Sequence, residues 1–174
     1  YTANPPLLIM NTGSSATSGS ATSFDDGPMQ KIGSTAFVFP VGDAFTRWAR
    51  IGIAPTAAST FQAQYFFIPY SNTTSVCVTP TPVLNNVSGF EYWQLDRIAG
   101  GNSTVTLYWE NAASSRINSC AGTPNTGDLV VARYTATCWE NKNTVGGTYT
   151  GSCAGTSAGT VTSDVVTAFS PFTF

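Results

Sequence analysis

The feature that most constrains the fold is a strict alternation around residue 107, where Val105, Leu107 and Trp109 alternate with polar or amphipathic residues. Successive side chains of a β-strand point to opposite faces, so this period of two predicts a strand with one buried side. Similar short runs, separated by Pro and Gly, recur along the chain, and no segment has a convincing helical period. The sequence therefore predicts an all-β protein, a single antiparallel β-sandwich of the Ig-like or jelly-roll-like kind, with roughly nine to twelve strands.

The chain divides into two parts by composition. Residues 1–28 contain a short apolar run, residues 5–10, followed by a stretch rich in Ser, Gly and Thr. The run has the length of a strand, and the stretch has the composition of a flexible tether. Residues 29–174 carry the regular strand pattern and predict the sandwich domain, in which residues 71–89 form a long loop or an irregular edge.

Composition restricts the partners of the chain. Only 9% of the 174 residues are charged, and the formal net charge is −2 with seven basic residues, which are scattered. This distribution offers no electrostatic footprint for nucleic acid or anionic lipid, and no apolar run is long enough for a membrane-spanning helix. We expect neither nucleic-acid binding nor membrane insertion. The low charge and the first residue, Tyr1 rather than Met, favour a mature secreted chain at the cell surface or outside the cell.

The four cysteines, Cys77, Cys120, Cys138 and Cys153, lack the C-x-x-C spacing of a zinc or redox site, and the chain has no His. In a secreted chain we expect two disulfides. Cys138 and Cys153 flank a turn-rich stretch between two predicted strands, which favours a bond between them and leaves Cys77 to pair with Cys120. Four buried free thiols are the alternative.

The sequence contains no constellation of catalytic residues. A serine nucleophile needs a base, and the usual base, His, is absent. Carboxylate pairs could serve glycoside hydrolysis, but we expect the acids on or near predicted strands to form ion pairs on the surface with arginines that are nearby in the sequence. These acids are Glu91, Asp96, Glu110 and Glu140, and the arginines are Arg97, Arg116 and Arg133. We expect no enzyme activity, no cofactor and no metal.

Two binding hypotheses stand beside that expectation. Asp25, Asp26 and Asp43 could supply oxygens to calcium, although the spacing of a recognisable calcium loop is missing. The four tryptophans could stack on sugar rings, but Trp in a two-sheet protein is more often part of the core. They are Trp48, Trp93, Trp109 and Trp139. Glycans are therefore the weaker class of partner.

Three asparagines, Asn72, Asn86 and Asn102, match the N-x-[ST] acceptor pattern for glycosylation. Attached glycans would add solubility to a surface with little charge. We predict these three positions as glycosylation candidates.

Several blocks in a fixed order resemble a known module. They read Phe-Val-Phe-Pro-Val-Gly-Asp at 37–43, Arg-Trp-Ala-Arg-Ile-Gly-Ile at 47–53, Glu-Tyr-Trp-Gln-Leu-Asp-Arg at 91–97, Val-Thr-Leu-Tyr-Trp-Glu at 105–110, Leu-Val-Val-Ala-Arg-Tyr at 129–134 with Cys-Trp-Glu at 138–140, and Phe-Ser-Pro-Phe-Thr-Phe at 169–174. Over residues 30–174 the chain resembles the module of secreted Bacteroidota surface proteins that commonly precedes a C-terminal sorting domain of the type IX secretion system. The resemblance implies an exported extracellular β-sandwich without an established enzymatic role. The sorting domain does not follow Phe174, as if removed at maturation, and the four cysteines are not part of the module's pattern.

The N-terminal run suggests how such a module could assemble. A strand formed by Leu7, Leu8, Ile9 and Met10 on a short tether could add to the open sheet edge of another copy. Repeated head to tail, this contact would build an extracellular homopolymeric filament or surface assembly. The same segment could instead pair within its own domain, and a monomeric adhesin or carbohydrate-binding module is the competing function.

Overall fold

The computed structural model describes residues 5–43, 47–120 and 129–174. Its described residues contain strands and no helix, and accordingly no helix long and apolar enough to cross a membrane. The strands are β1 Leu8–Met10, β2 Met29–Gly33, β3 Phe37–Phe39, β4 Gly42–Asp43, β5 Arg47–Trp48, β6 Ile51–Pro55, β7 Ser59–Phe66, β8 Tyr92–Gly100, β9 Ser103–Trp109, β10 Ala132–Tyr134, β11 Trp139–Asn141, β12 Thr148–Gly151, β13 Gly159–Thr162 and β14 Pro171–Thr173.

Two main sheets form a sandwich, as the sequence predicts. One has seven strands in the order β1-β2-β7-β8-β14-β10-β11, the other has five in the order β12-β13-β9-β6-β3, and β4 and β5 form a separate ribbon. All named pairs are antiparallel except β1 with β2, which run parallel. The fourteen described strands exceed the predicted nine to twelve, because several elements have only two or three residues.

The core lies between the two sheets and follows the alternation. In β9, Val105, Leu107 and Trp109 are buried, whereas Thr106 and Tyr108 are half-buried on the other face. β7 shows the same period over eight residues. Each large apolar side chain that is removed from water in this way stabilises the fold by about 1.5–3 kcal/mol. The buried residues of β9 are those that the alternation predicts, which confirms the predicted orientation of this strand.

A second, smaller core forms between β10 and β11 of the seven-stranded sheet and the loop that precedes β8. The loop between β7 and β8, predicted as irregular, contains no named strand and packs Leu84 against Trp139 and Ala132. Trp139 Nε1 donates to the Asn72 carbonyl at 2.6 Å, and the Asn72 side-chain amide donates to the Tyr134 hydroxyl at 3.2 Å. These bonds satisfy polar groups that burial would otherwise leave unpaired. The loop therefore belongs to the folded body.

The structure confirms two disulfides, but the predicted pairing was wrong. Cys77 bonds to Cys138, and Cys120 bonds to Cys153. The prediction assumed a hairpin between Cys138 and Cys153, whereas the chain passes from β11 in one sheet to β12 in the other. Cys77 reaches Cys138 because its loop runs parallel to β11, with the Cys77 N–H donating to the Trp139 carbonyl at 2.8 Å. Two disulfides indicate an oxidising environment outside the cytoplasm.

Cys120 is brought to Cys153 by a separate set of main-chain bonds. The N–H groups of Ala112 and Ala113 donate to the carbonyls of Ser157 and Gly155 at 2.9 and 2.8 Å. The segment after β9 therefore runs beside the turn between β12 and β13. The Cys120–Cys153 disulfide joins the same segment to the same turn.

Candidate functional site

The predicted assembly strand lies at one edge of the seven-stranded sheet of its own chain. Leu8 is opposite Met29, Ile9 is opposite Gln30, and Met10 is opposite Lys31. The Leu8 N–H donates to the Pro28 carbonyl at 3.1 Å. Of the two arrangements that the sequence leaves open, the structure of the single chain has the intramolecular one.

β1 is only partly covered in this position. Leu7, Leu8 and Ile9 are 41%, 45% and 48% exposed, whereas Met10 is partly buried and packs against the core. β1 is the terminal strand of the sheet, so its outer edge pairs with no described strand. An apolar strand with an open edge is an uncommon feature, because it invites pairing with another chain.

The opposite edge of the same sheet is protected. There Trp139 of β11 is bridged by Val76, and the adjacent Cys77–Cys138 bond holds that cover in place. The sheet therefore has one covered edge and one edge that ends in a half-exposed apolar strand. Of the two edges of this sheet in the described part of the chain, the β1 edge is the one that has unpaired main-chain groups available to another strand.

Lys31 anchors the turn that follows β1. Its side chain is 2% exposed, and Nζ donates to the carbonyls of Asn11 and Ser14 at 2.9 and 2.8 Å. The Ser14 N–H donates to the same Asn11 carbonyl at 3.0 Å, and Gly13 has a φ of 82°, which a glycine adopts without strain. Nζ also lies 5.3 Å from the centroid of the Phe37 ring.

Sequence reasoning missed this lysine, although a signal was present. Lys31 lies two residues after Met29 in a strand whose inward positions alternate, so it occupies an inward position. A buried ammonium must find acceptors, which here come from the main chain of the N-terminal segment.

The stretch predicted as a tether also contacts the body. Asp25 forms a parallel bridge with Val41, in which the Asp25 N–H donates to the Pro40 carbonyl at 2.8 Å and the Asp25 carbonyl accepts from the Gly42 N–H at 2.9 Å. Gly19, with a φ of 74°, lies so close to Pro40 that an added Cβ would be 2.8 Å from the proline Cβ. Residues 5–28 therefore fold against the sandwich in the single chain.

The acids considered for catalysis are engaged with basic groups or with a neighbouring amide. Glu140 pairs with Arg133, one of the three arginines expected as partners, and also with Lys142, both at 2.8 Å. Glu110 instead pairs with Arg50, and Glu91 with Arg47, neither of which was predicted. The expectation of a surface pair was wrong for Glu91, because its carboxylate is buried. Asp96 accepts a bond from the Gln94 side chain at 2.6 Å. The predicted partners Arg97 and Arg116 lie over the rings of Phe169 and Phe90.

Glu91 belongs to a buried polar network. It is 1% exposed, and the Tyr65 hydroxyl donates to its Oε2 at 2.5 Å. Arg47 donates to the Ser115 hydroxyl at 3.0 Å and lies 3.4 Å from the same Glu91 oxygen. Burial and the nearby Glu91 raise the pKa of the Tyr65 phenol well above its usual range, so the phenol remains a donor. The network holds the start of β8 to β5 and β7.

The calcium hypothesis receives no support from the described residues. They contain no cluster of three or more acids, His or Cys that could hold a metal ion. Asp43 accepts the Phe67 N–H at 2.7 Å, so one of its oxygens already has a structural role. Burial and the neighbouring charge of Asp26 raise the pKa of Asp25.

Three of the four tryptophans are core residues. Trp93, Trp109 and Trp139 are at most 1% exposed, as expected for a two-sheet protein. Trp48 is half-buried, and the Arg50 guanidinium lies 4.6 Å from its ring centroid. The glycan hypothesis therefore depends on Trp48 and on the partly exposed tyrosines.

The three glycosylation candidates differ in access. Asn86 is exposed. The Asn72 amide donates to Ser75 and Tyr134, and its carbonyl oxygen accepts from the Thr74 and Ser75 N–H groups. The Asn102 oxygen accepts from Arg97 at 2.9 Å. All three remain predictions, and Asn86 is the most accessible.

A cleft of about 710 Å³ lies between the loop around Leu84 and Phe90 and the segment around Arg116 and Ile117. Its lining is mixed, and Arg116 stacks over Phe90 at 4.8 Å from the ring centroid. Residues 121–128, between two of the lining segments, lie outside the described residues, so we assign no ligand to this cleft.

Comparison with known proteins gives no match: the chain matches no protein-family model, no curated protein and no solved structure.

Proposed function

We propose that this protein is a structural subunit of an extracellular homopolymeric assembly, joined by exchange of the β1 segment between copies. The observation that carries the proposal is the position of β1. It is a terminal apolar strand, paired with the body through β2 alone, and Leu7, Leu8 and Ile9 remain about half exposed. The low charge, the two disulfides and the resemblance to secreted surface modules support an extracellular setting.

Exchange needs no new contact. Every bond that β1 makes with β2 and Lys31 of its own chain can form with the same groups of a second copy, because the copies are identical. The free energy of docking is therefore similar in the two arrangements, and protein concentration decides between them. The present intramolecular pairing supplies the geometry of the receiving edge.

The connecting segment is long enough for exchange. Residues 15–28 are fourteen residues, which span at most roughly 48 Å when extended. A domain of this size has a radius of gyration of about 16 Å, which corresponds to a diameter of roughly 40 Å. The segment can reach a neighbour once the main-chain bonds of Asp25 to Pro40 and Gly42 are released and the local turn between Ser20 and Ser23 opens. Because the contact joins two different surfaces, repetition produces an open filament wherever the rotation between successive copies does not close into a ring.

Two proline variants of β1 test this route. Leu8→Pro removes the N–H that donates to Pro28, so we expect β1 to detach and assembly to be lost. Main-chain N–H groups alternate in direction along a strand, so the N–H of Ile9 faces the open edge. Ile9→Pro is the matched control, and we expect it to assemble like the unaltered chain. Sedimentation velocity and electron microscopy measure the outcome.

Two results would overturn the proposal. If the unaltered chain gives only single globules at all concentrations, it does not polymerise, and glycan binding by such a monomer would favour the adhesin alternative. If Ile9→Pro abolishes assembly and Leu8→Pro does not, copies add to the outer edge of β1 and no strand is exchanged.

A further inference from the structure

We propose that Lys31 sets the register in which the N-terminal segment docks, by binding the carbonyls of Asn11 and Ser14. The docking contact is seen within one chain; its extension to a second copy's segment rests on the proposed function. In this role Lys31 makes the receiving edge specific for a strand that is followed by the Asn11–Ser14 turn.

Side-chain packing alone specifies the register of β1 weakly. Register is strongly set where one face of a strand is buried and the other is not. β1 has only three residues, and Leu8 and Ile9, on opposite faces, are exposed to similar extents. Met10 is the partly buried residue of β1 that packs against the core. A strand of this kind can slip along β2 by two residues and keep the same faces.

Lys31 supplies the missing specificity. Its ammonium group is buried, so it needs acceptors, and both carbonyls that it binds belong to the segment that docks. A slip of two residues moves those carbonyls by about 6.6 Å, beyond hydrogen-bond distance of Nζ. Bonds to a charged donor are stronger than bonds between neutral groups, so the in-register arrangement is favoured.

Disulfides between cysteines introduced in β1 and β2 report the register of the two strands directly. Ile9 faces Gln30 on the half-buried outer face, and Ile32 is the next residue of β2 on that face. A disulfide between positions 9 and 30 reports the native register. A disulfide between positions 9 and 32 reports a two-residue slip, because these Cα atoms lie about 8 Å apart in register, too far for a bond.

The experiment compares Ile9→Cys/Gln30→Cys with Ile9→Cys/Ile32→Cys, each in the unaltered background and with Lys31→Met. We expect only the 9–30 bond in the unaltered background. With Lys31→Met, we expect the ratio of 9–32 to 9–30 bonds to rise by about tenfold or more, since losing one bond to a charged group changes an equilibrium by that factor. Peptide mapping under non-reducing conditions identifies the bonds and verifies the native disulfides.

A second variant covers the case in which Lys31→Met fails to fold. Gly13→Val disturbs only the turn, because Gly13 has a positive φ and no atom lies within 4 Å of an added Cβ. We expect the same rise in 9–32 bonds. An unchanged 9–30 preference in the folded variants would overturn the inference. Which two residues form the bond tests the role of Lys31 in setting the register. Whether the bond lies within one chain or joins two chains tests the proposed function separately.

Discussion

Removing the disulfides in chosen pairs tests the connectivity that the fold imposes. Cys77→Ser/Cys138→Ser breaks one bond and leaves Cys120 paired with Cys153. Cys138→Ser/Cys153→Ser breaks both bonds and leaves Cys77 and Cys120 as free thiols. The two variants have the same number of substitutions, so their difference reports connectivity alone.

The expected magnitudes follow from the lengths of chain that the bonds close. The Cys77–Cys138 bond spans 61 residues and the Cys120–Cys153 bond spans 33. The chain entropy that such loops remove from the unfolded state corresponds to about 4 kcal/mol for each bond. Breaking one bond therefore lowers the free energy of unfolding by about 4 kcal/mol, and breaking both lowers it by about 8 kcal/mol, a large part of the 5–15 kcal/mol typical of a domain.

Urea unfolding followed by tryptophan fluorescence measures these changes, and a thiol assay under denaturing conditions counts free cysteines. We expect no free thiol in Cys77→Ser/Cys138→Ser and two in Cys138→Ser/Cys153→Ser. If the second variant had no free thiol and unfolded at the same urea concentration as the first, the connectivity described above would be wrong.

The remaining predictions concern two polar clusters. Tyr65→Phe removes the phenol that donates to the buried Glu91, and we expect the free energy of unfolding to fall by about 2 kcal/mol in urea titrations; an unchanged value would show that the network does not stabilise the fold. Burial tends to raise the pKa of Glu140, but the hydrogen bonds and charges of Lys142 and Arg133 outweigh it and hold that pKa below the ordinary 4.5. The stability that these interactions of ionised Glu140 contribute is present above pH 4.5 and is lost as the pH falls through the lowered pKa. The difference in free energy of unfolding between the unaltered chain and Glu140→Gln should therefore shrink in acid. An equal difference above pH 4.5 and in acid would contradict this expectation.

The parts of the fold that depend on local pattern could be predicted from the sequence. The alternation through Val105, Leu107 and Trp109 predicts which face of β9 is buried, because strand geometry alone connects the two. The irregular loop before β8 follows from its Asn-, Thr- and Pro-rich composition, and the burial of Trp93 follows from the tendency of Trp to lie in the core of two-sheet proteins. These features require no knowledge of which strands are neighbours.

Features that depend on topology could not be predicted in this way. Cys138 and Cys153 are close in sequence, but the chain changes sheets between them, and no local signal reports that crossover. The sequence also does not predict whether β1 docks on its own chain or on another, because pairing within a chain and pairing between chains use identical backbone bonds. The burial of Lys31 could have been predicted, because it is a charged residue at an inward position of its strand. Its partners could not, because the acceptors are main-chain carbonyls, which have no sequence signature.

The central claim is most directly tested by mixing two singly substituted proteins of different mass. One carries Ile9→Cys and the other carries Gln30→Cys, so a disulfide between positions 9 and 30 can form only when β1 of one copy pairs with β2 of another. A mixture in which Ile98→Cys replaces Ile9→Cys is the control, because Ile98 is also exposed but lies on β8. Strand exchange predicts a mixed dimer, detected by mass spectrometry, well above the control level. A yield no higher than that of the control would show that β1 stays on its own chain.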